Sequence, residues 1–100
     1  PVITIEGGHF ASRVSASILN AVGLPELVTG SVEEYAALAG ELSRDPDRLR
    51  QLRGRLAENR LSEPLFDTPR FVKNLERAYE RMWETFLEGG RPRRIEVTED

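Results

Sequence analysis

Val2, Ile3 and Ile5 place apolar residues at consecutive positions around Thr4, a β-branched run that reads as a short strand over Val2–Ile5 covered on both faces. Such a strand needs neighbours, and only Leu27-Val28-Thr29 offers a second. Two strands alone make a marginal sheet, so the chain is expected to be the tail of a longer protein that begins just before or inside a sheet. After a turn at Glu6-Gly7-Gly8-His9, Val14, Ser17, Ile18, Ala21 and Val22 recur at the three-and-four spacing of one helix face, predicting a helix over 10–22. Gly23-Leu24-Pro25 supplies its stop: a left-handed glycine, an apolar residue folding back, and a proline that prevents continuation. Strand, turn, helix and short strand together form a β-α-β segment.

Beyond Thr29-Gly30 the pattern is helical. Ser31 followed three residues later by Glu34 is a capping signal for a helix over 32–43 whose buried face is Tyr35, Leu38, Ala39 and Leu42. Asp45-Pro46 ends that helix and opens the next, over 46–60, where Leu49, Leu52 and Leu56 form a narrow stripe. A loop with two prolines, Pro64 and Pro69, carries Asp67 and Thr68 as caps for a last helix over 69–88. Its stripe of Phe71, Leu75, Ala78, Met82 and Phe86 is widened by Val72, Tyr79 and Trp83 and is expected to pack across several elements, until Gly89-Gly90 stops the helix. Trp83 is accordingly expected to be a buried packing group whose loss costs roughly 3 kcal/mol, and His9 a turn residue worth under about 1 kcal/mol. Residues 91–100 are charged and expected to form a loose tail.

Composition bounds this picture. One hundred residues, 39% hydrophobic and 31% charged, with net charge -3, describe a single globular unit over 1–100. That is too small for a two-lobed active-site cleft. With no cysteine there is no disulfide framework and no thiol nucleophile, and a cytoplasmic address is the default. No apolar run approaches the roughly 20 residues needed to cross a bilayer, so no membrane partner is expected. Acidic residues outnumber basic ones by 17 to 14, which does not favour a nucleic-acid partner. Arg48, Arg50, Arg53 and Arg55 read either as a solvated helix face or as a surface for an anion or a partner.

The candidate chemistry lies at Gly7, Gly8 and His9. A strand that ends on glycines and opens a helix is where open α/β folds place ligands, since backbone N–H groups and the positive helix end face the cleft. The adjacent glycines do not match the spaced dinucleotide fingerprint. The turn therefore reads either as a tight corner needing small residues or as a cleft-lining segment. His9, the only histidine, has no partner fixed by the local sequence, and metal-ligand spacing is absent. Arg13 could hold an anion or a neighbouring carboxylate. No base is placed to activate Ser12 or Ser15, so no catalytic residue is assigned.

The segments Pro1-Val2-Ile3-Thr4, Phe10-Ala11-Ser12-Arg13-Val14, Gly23-Leu24-Pro25-Glu26-Leu27, Pro64-Leu65-Phe66-Asp67-Thr68 and Met82-Trp83 resemble, in order, the end of the catalytic region of O-linked N-acetylglucosamine transferases, in particular a bacterial relative. The resemblance implies a GT-B glycosyltransferase of two Rossmann-like lobes, with tetratricopeptide repeats often in front. It implies a UDP-sugar donor, UDP-GlcNAc, a protein acceptor with serine or threonine hydroxyls, and no metal or other cofactor. The family's nucleotide contacts and proposed catalytic groups lie before the position of Pro1, and its usual Pro-Gly-acidic-Thr turn is replaced here by Glu6-Gly7-Gly8-His9. The expected fold class is therefore an α/β fragment, mostly α: the last β-α(-β) unit of a Rossmann-like GT-B lobe followed by three C-terminal helices. Its expected role is structural support of the donor-binding lobe, inactive by itself, with the remainder of that lobe as partner. A stand-alone helical interaction module is the alternative.

Overall fold

The computed structural model describes residues 1–99 and divides the chain into two compact units, Pro1–Phe66 and a second that starts at Asp67. The first contains β1 (Thr4–Ile5), α1 (Phe10–Ala21), β2 (Val28–Thr29), α2 (Val32–Ser43) and α3 (Pro46–Asn59). The second is α4 (Thr68–Leu87) with the segment after it. The described residues are thus mostly helical with one small parallel sheet, in keeping with the expected mostly helical α/β class.

β1 and β2 pair in parallel, with Thr4 opposite Val28 and Ile5 opposite Thr29. The buried Thr29 hydroxyl donates to the Thr4 carbonyl at 2.8 Å, fastening the register from the side chain as well as the backbone. β1 is shorter than the sequence pattern suggests because its one partner is two residues long, and Val2 beyond it is 66% exposed. Leu27 likewise leaves the expected strand: Pro25 starts a 3-10 turn over Pro25–Leu27, and the Leu27 N–H donates to the Leu24 carbonyl.

The end of α1 organises the core. Gly23 adopts φ +77°, the left-handed region open to glycine. The Leu24 N–H then reaches the Leu19 carbonyl at 2.9 Å and the Gly23 N–H the Asn20 carbonyl at 3.1 Å, which together form a Schellman motif. Leu19 and Leu24 join Val22, Leu27, Leu42 and Leu52 in one buried cluster. Ile3, Val28, Leu38, Leu56 and Leu65 pack against it. The helix cap therefore decides which face of α1 turns inward: Ala16, Leu19 and Val22 are buried, whereas Val14 and Ile18, placed on the buried face by spacing alone, are 37% and 45% exposed.

The helix starts follow their sequence signals. Ser31 Oγ accepts from the Glu34 N–H, Asp45 Oδ1 from the Arg48 N–H, and Asp67 Oδ1 from the Arg70 N–H, each at 3.1 Å. Pro46 and Pro69 stand in the first turns of α3 and α4, where a missing N–H costs nothing. Within unit two, Gly89 at φ +74° repeats the left-handed ending of α1, with the Gly90 N–H on the Thr85 carbonyl at 2.9 Å.

α4 corrects one expectation. Its apolar stripe is largely exposed: Phe71, Tyr79, Met82 and Phe86 are all more than half accessible, and Trp83 is 60% accessible. The Trp83 ring stacks on Phe86, centroids 5.5 Å apart, instead of filling a core. The stripe is wider than its own unit can cover, so truncating Trp83 leaves no cavity. Leu27→Ala, at a fully buried position, should lower stability by about 3 kcal/mol, whereas Trp83→Ala and His9→Ala should each cost under about 1 kcal/mol in denaturant unfolding.

Candidate functional site

Because β1 and β2 run in parallel, the segments leaving them emerge at one edge of the sheet. There Glu6-Gly7-Gly8-His9 leads into α1, and Gly30-Ser31 leads into α2. The Glu6 N–H donates to the Thr29 carbonyl at 2.8 Å, so the two exits are joined directly. Two helix N-termini with their outward N–H groups thus flank the carboxyl ends of a parallel strand pair, the position at which open α/β sheets receive ligands.

The first exit is held by a local network. Ser12 Oγ accepts from the His9 N–H at 3.2 Å and donates to the His9 carbonyl at 2.9 Å, making Ser12 a structural group in the corner. Arg13 donates to the Gly7 carbonyl at 3.1 Å and pairs with the Glu6 carboxylate at 3.0 Å. Of the two roles open to Arg13, the neighbouring carboxylate is the one it takes. Gly7 is half-buried, and Gly8 and His9 are exposed, so the three expected site residues sit together at the rim.

The two helix starts differ electrostatically. The first turn of α1 holds no acidic residue. That of α2 holds Glu33 and Glu34, and Glu34 Oε2 accepts from the Gly30 N–H at 2.7 Å. A carboxylate already occupies the positive end of α2, whereas the first turn of α1 carries none of its own and the nearby Glu6 carboxylate is held by Arg13. The Gly30–Glu34 half of the site went unassigned from sequence, where it registered only as a capping signal; the parallel pairing is what brings it beside Gly7.

The arginine face of α3 is largely neutralised. Arg48 pairs with Glu41 at 3.3 Å, Arg50 with Asp47 at 3.1 Å, and Arg55 with Glu26. Among the described residues no group of three or more His, Cys, Asp or Glu could hold a metal ion, and no helix is long and apolar enough to cross a membrane.

The two glycines of the corner differ in what a methyl group would meet. A Cβ on Gly7 would lie 2.6 Å from Ser12 Oγ, whereas one on Gly8 would have nothing within 4 Å. Gly7→Ala should therefore displace the Ser12 bonds and cost about 1 kcal/mol, while Gly8→Ala should change stability by less than about 0.5 kcal/mol, both read from urea unfolding midpoints.

Comparison with known proteins bears on this arrangement. Residues 1–75 match Glycosyl transferase family 41. The chain is 40% identical over 101 residues to the probable UDP-N-acetylglucosamine–peptide N-acetylglucosaminyltransferase SEC of Arabidopsis thaliana, an alignment covering 100% of this chain and 10% of the relative. It is 38% identical over 102 residues to SPINDLY of Hordeum vulgare, described by the same probable activity, covering 100% of the chain and 11% of the relative. It is 36% identical over 89 residues to the UDP-N-acetylglucosamine–peptide N-acetylglucosaminyltransferase of Caenorhabditis elegans, covering 89% and 8%. The chain spans about a tenth of the length of these relatives. With the family match over three quarters of its residues and relatives 36–40% identical along nearly its whole length, the chain belongs to glycosyl transferase family 41.

Proposed function

We propose that this chain is the C-terminal β-α-β unit and closing helices of the UDP-binding lobe of a GT-B transferase, one that moves N-acetylglucosamine from UDP-GlcNAc to a protein acceptor. The observation that carries the reading is the shared edge at which Glu6–Phe10 and Gly30–Ser31 leave the parallel pair, with the α1 N-terminus free of acidic residues. Gly7, Gly8 and His9 are then the nearest elements to the donor's diphosphate. They supply the positive helix end and close approach of a glycine turn, not acid-base chemistry, the Gly7 and His9 N–H groups being engaged by Ser12 within the corner.

On this reading the unit supports a site completed by other parts of a larger protein. The relatives' much greater length agrees with that, as does a sheet of two strands, too small to stand by itself in most folds. The exposed stripe on α4 favours a second reading, a helical interaction module. Carboxylates stand beside Arg48, Arg50 and Arg55 along α3, so α4 is the stronger surface for that reading.

Titration calorimetry of the chain with UDP tests the proposal. The expected result is binding that is weak or absent, together with no sugar transfer and no UDP-GlcNAc hydrolysis. Low-micromolar binding would place a complete nucleotide site inside these residues and overturn the supporting role.

A further inference from the structure

The segment after α4 is tied back onto that helix mainly by arginine side chains. Arg70 Nε and a terminal guanidinium nitrogen meet the two Glu99 carboxylate oxygens at 2.6 and 2.7 Å, a two-pronged pairing of planar fork and planar carboxylate. Asn74 Nδ2 donates to the same carboxylate at 2.8 Å. Arg77, one turn further along, donates to Asn74 Oδ1 at 3.1 Å and so orients that amide toward the carboxylate. Lys73 and Asp67 line the same depression, and Asp67 is engaged with the Arg70 backbone N–H. Closer to the helix end, Arg81 donates to the Glu96 carbonyl at 2.6 Å, and Arg93 reaches the Thr85 hydroxyl at 3.4 Å. Between these ties Pro92 and Ile95 lie over Ala78, Met82 and Phe86, lining an apolar groove of about 420 Å³.

We propose that Arg70 and Asn74, supported by Arg77, form an oxyanion-binding fork whose resident ligand is the chain's own Glu99, so that residues 91–99 are a strap that a free oxyanion can displace. The fork has the donor set that recognises a carboxylate or a phosphate: two parallel guanidinium bonds, an amide, and surplus positive charge from Lys73 and Arg77. It is built entirely from side chains on one helix, so it survives when the strap leaves. Because its ligand is exposed, an external oxyanion needs no change in α4 to reach it. Strap release would extend the exposure of Ala78, Met82 and Phe86, already partly accessible, to the surface now under Pro92 and Ile95, coupling anion binding to exposure of apolar surface.

Titration behaviour agrees with this geometry. Arg70 hydrogen bonding, then Asn74, lowers the Glu99 pKa from 4.5 to about 2. A lowered value means that the tie is complete above about pH 4.5 and is lost as the pH falls toward 2.

Limited trypsin digestion of the chain reads the strap directly, since Arg93 and Arg94 lie within it and Arg91 is shielded from cleavage by Pro92. Glu99→Gln and Arg70→Gln should each speed cleavage at Arg94 about two- to fivefold, the range an exposed ion pair supports, and the double variant should be no faster than the faster single one. Inorganic phosphate should speed cleavage of the unaltered chain more than sodium chloride at equal ionic strength, and should have no such effect on Arg70→Gln. Carboxyl NMR of Glu99 gives a second measure that does not depend on proteolysis: its midpoint should return toward 4.5 in Arg70→Gln. Unchanged cleavage in Glu99→Gln, or a Glu99 midpoint unmoved by Arg70→Gln, overturns the tie. Phosphate acting no more strongly than chloride overturns the exchangeable site.

Discussion

The reversal of the chain at Gly23 is the constraint on which the first unit depends. A residue with a Cβ would pay for φ +77° in backbone strain and would also press a methyl group to 2.6 Å from the Asn59 amide. That amide donates to the Val22 carbonyl at 2.9 Å and so satisfies one of the carbonyls that a helix end leaves without a partner. With the turn fixed, Leu24 and Leu27 fall into the core with no exposed surface, and β2 leaves Leu27 in the register that pairs it with β1. The position of the Gly7 corner is inherited through the Glu6–Thr29 bond. The candidate site is thus set from the far end of α1 as much as from its own residues.

Charged groups in this protein are mostly committed to near neighbours. Glu6 with Arg13, Glu26 with Arg55, Glu41 with Arg48, and Glu99 with Arg70 are all solvent-accessible pairs. Each contributes little to stability, since water screens the attraction and ordering two long side chains opposes it. Their effect is on geometry: they orient the loops and helix ends they join. The pair at the corner has the most consequence, because Arg13 ties the Gly7 carbonyl and the Glu6 carboxylate to α1 and leaves the glycine backbone turned in one direction.

Local chemistry made the elements legible in the sequence. Ser31, Asp45 and Asp67 cap where their side chains allow, and Gly23 and Gly89 end helices where only glycine fits without strain. α2 begins and ends as its sequence pattern predicts, α1 and α3 end one residue earlier, and α4 is displaced by one residue at both ends. Burial was less legible. Spacing alone put Val14 and Ile18 inside, but a helix with apolar residues on two faces takes its orientation from its cap, here the Leu19–Leu24 link. Trp83 misled for a related reason: a broad apolar stripe states that a surface could be covered, not that this chain covers it. At the site, Gly7, Gly8 and His9 were visible as a strand-to-helix corner, whereas Gly30 and Glu34 joined them through a pairing that no local pattern encodes.

The Asn59 amide has a consequence for the order of folding. It meets Val22 across a sequence separation of 37 residues, among contacts that are otherwise mostly helical and local. Helices α1, α2 and α3 can each begin to form quickly from their own caps, but the end of α1 is not secured until α3 has docked. Loop closure, and not helix formation, should therefore limit the rate at which the first unit reaches its final state. Replacing the Asn59 amide would then slow the approach to that state as well as hasten its opening, since the bond closes in the docking step itself.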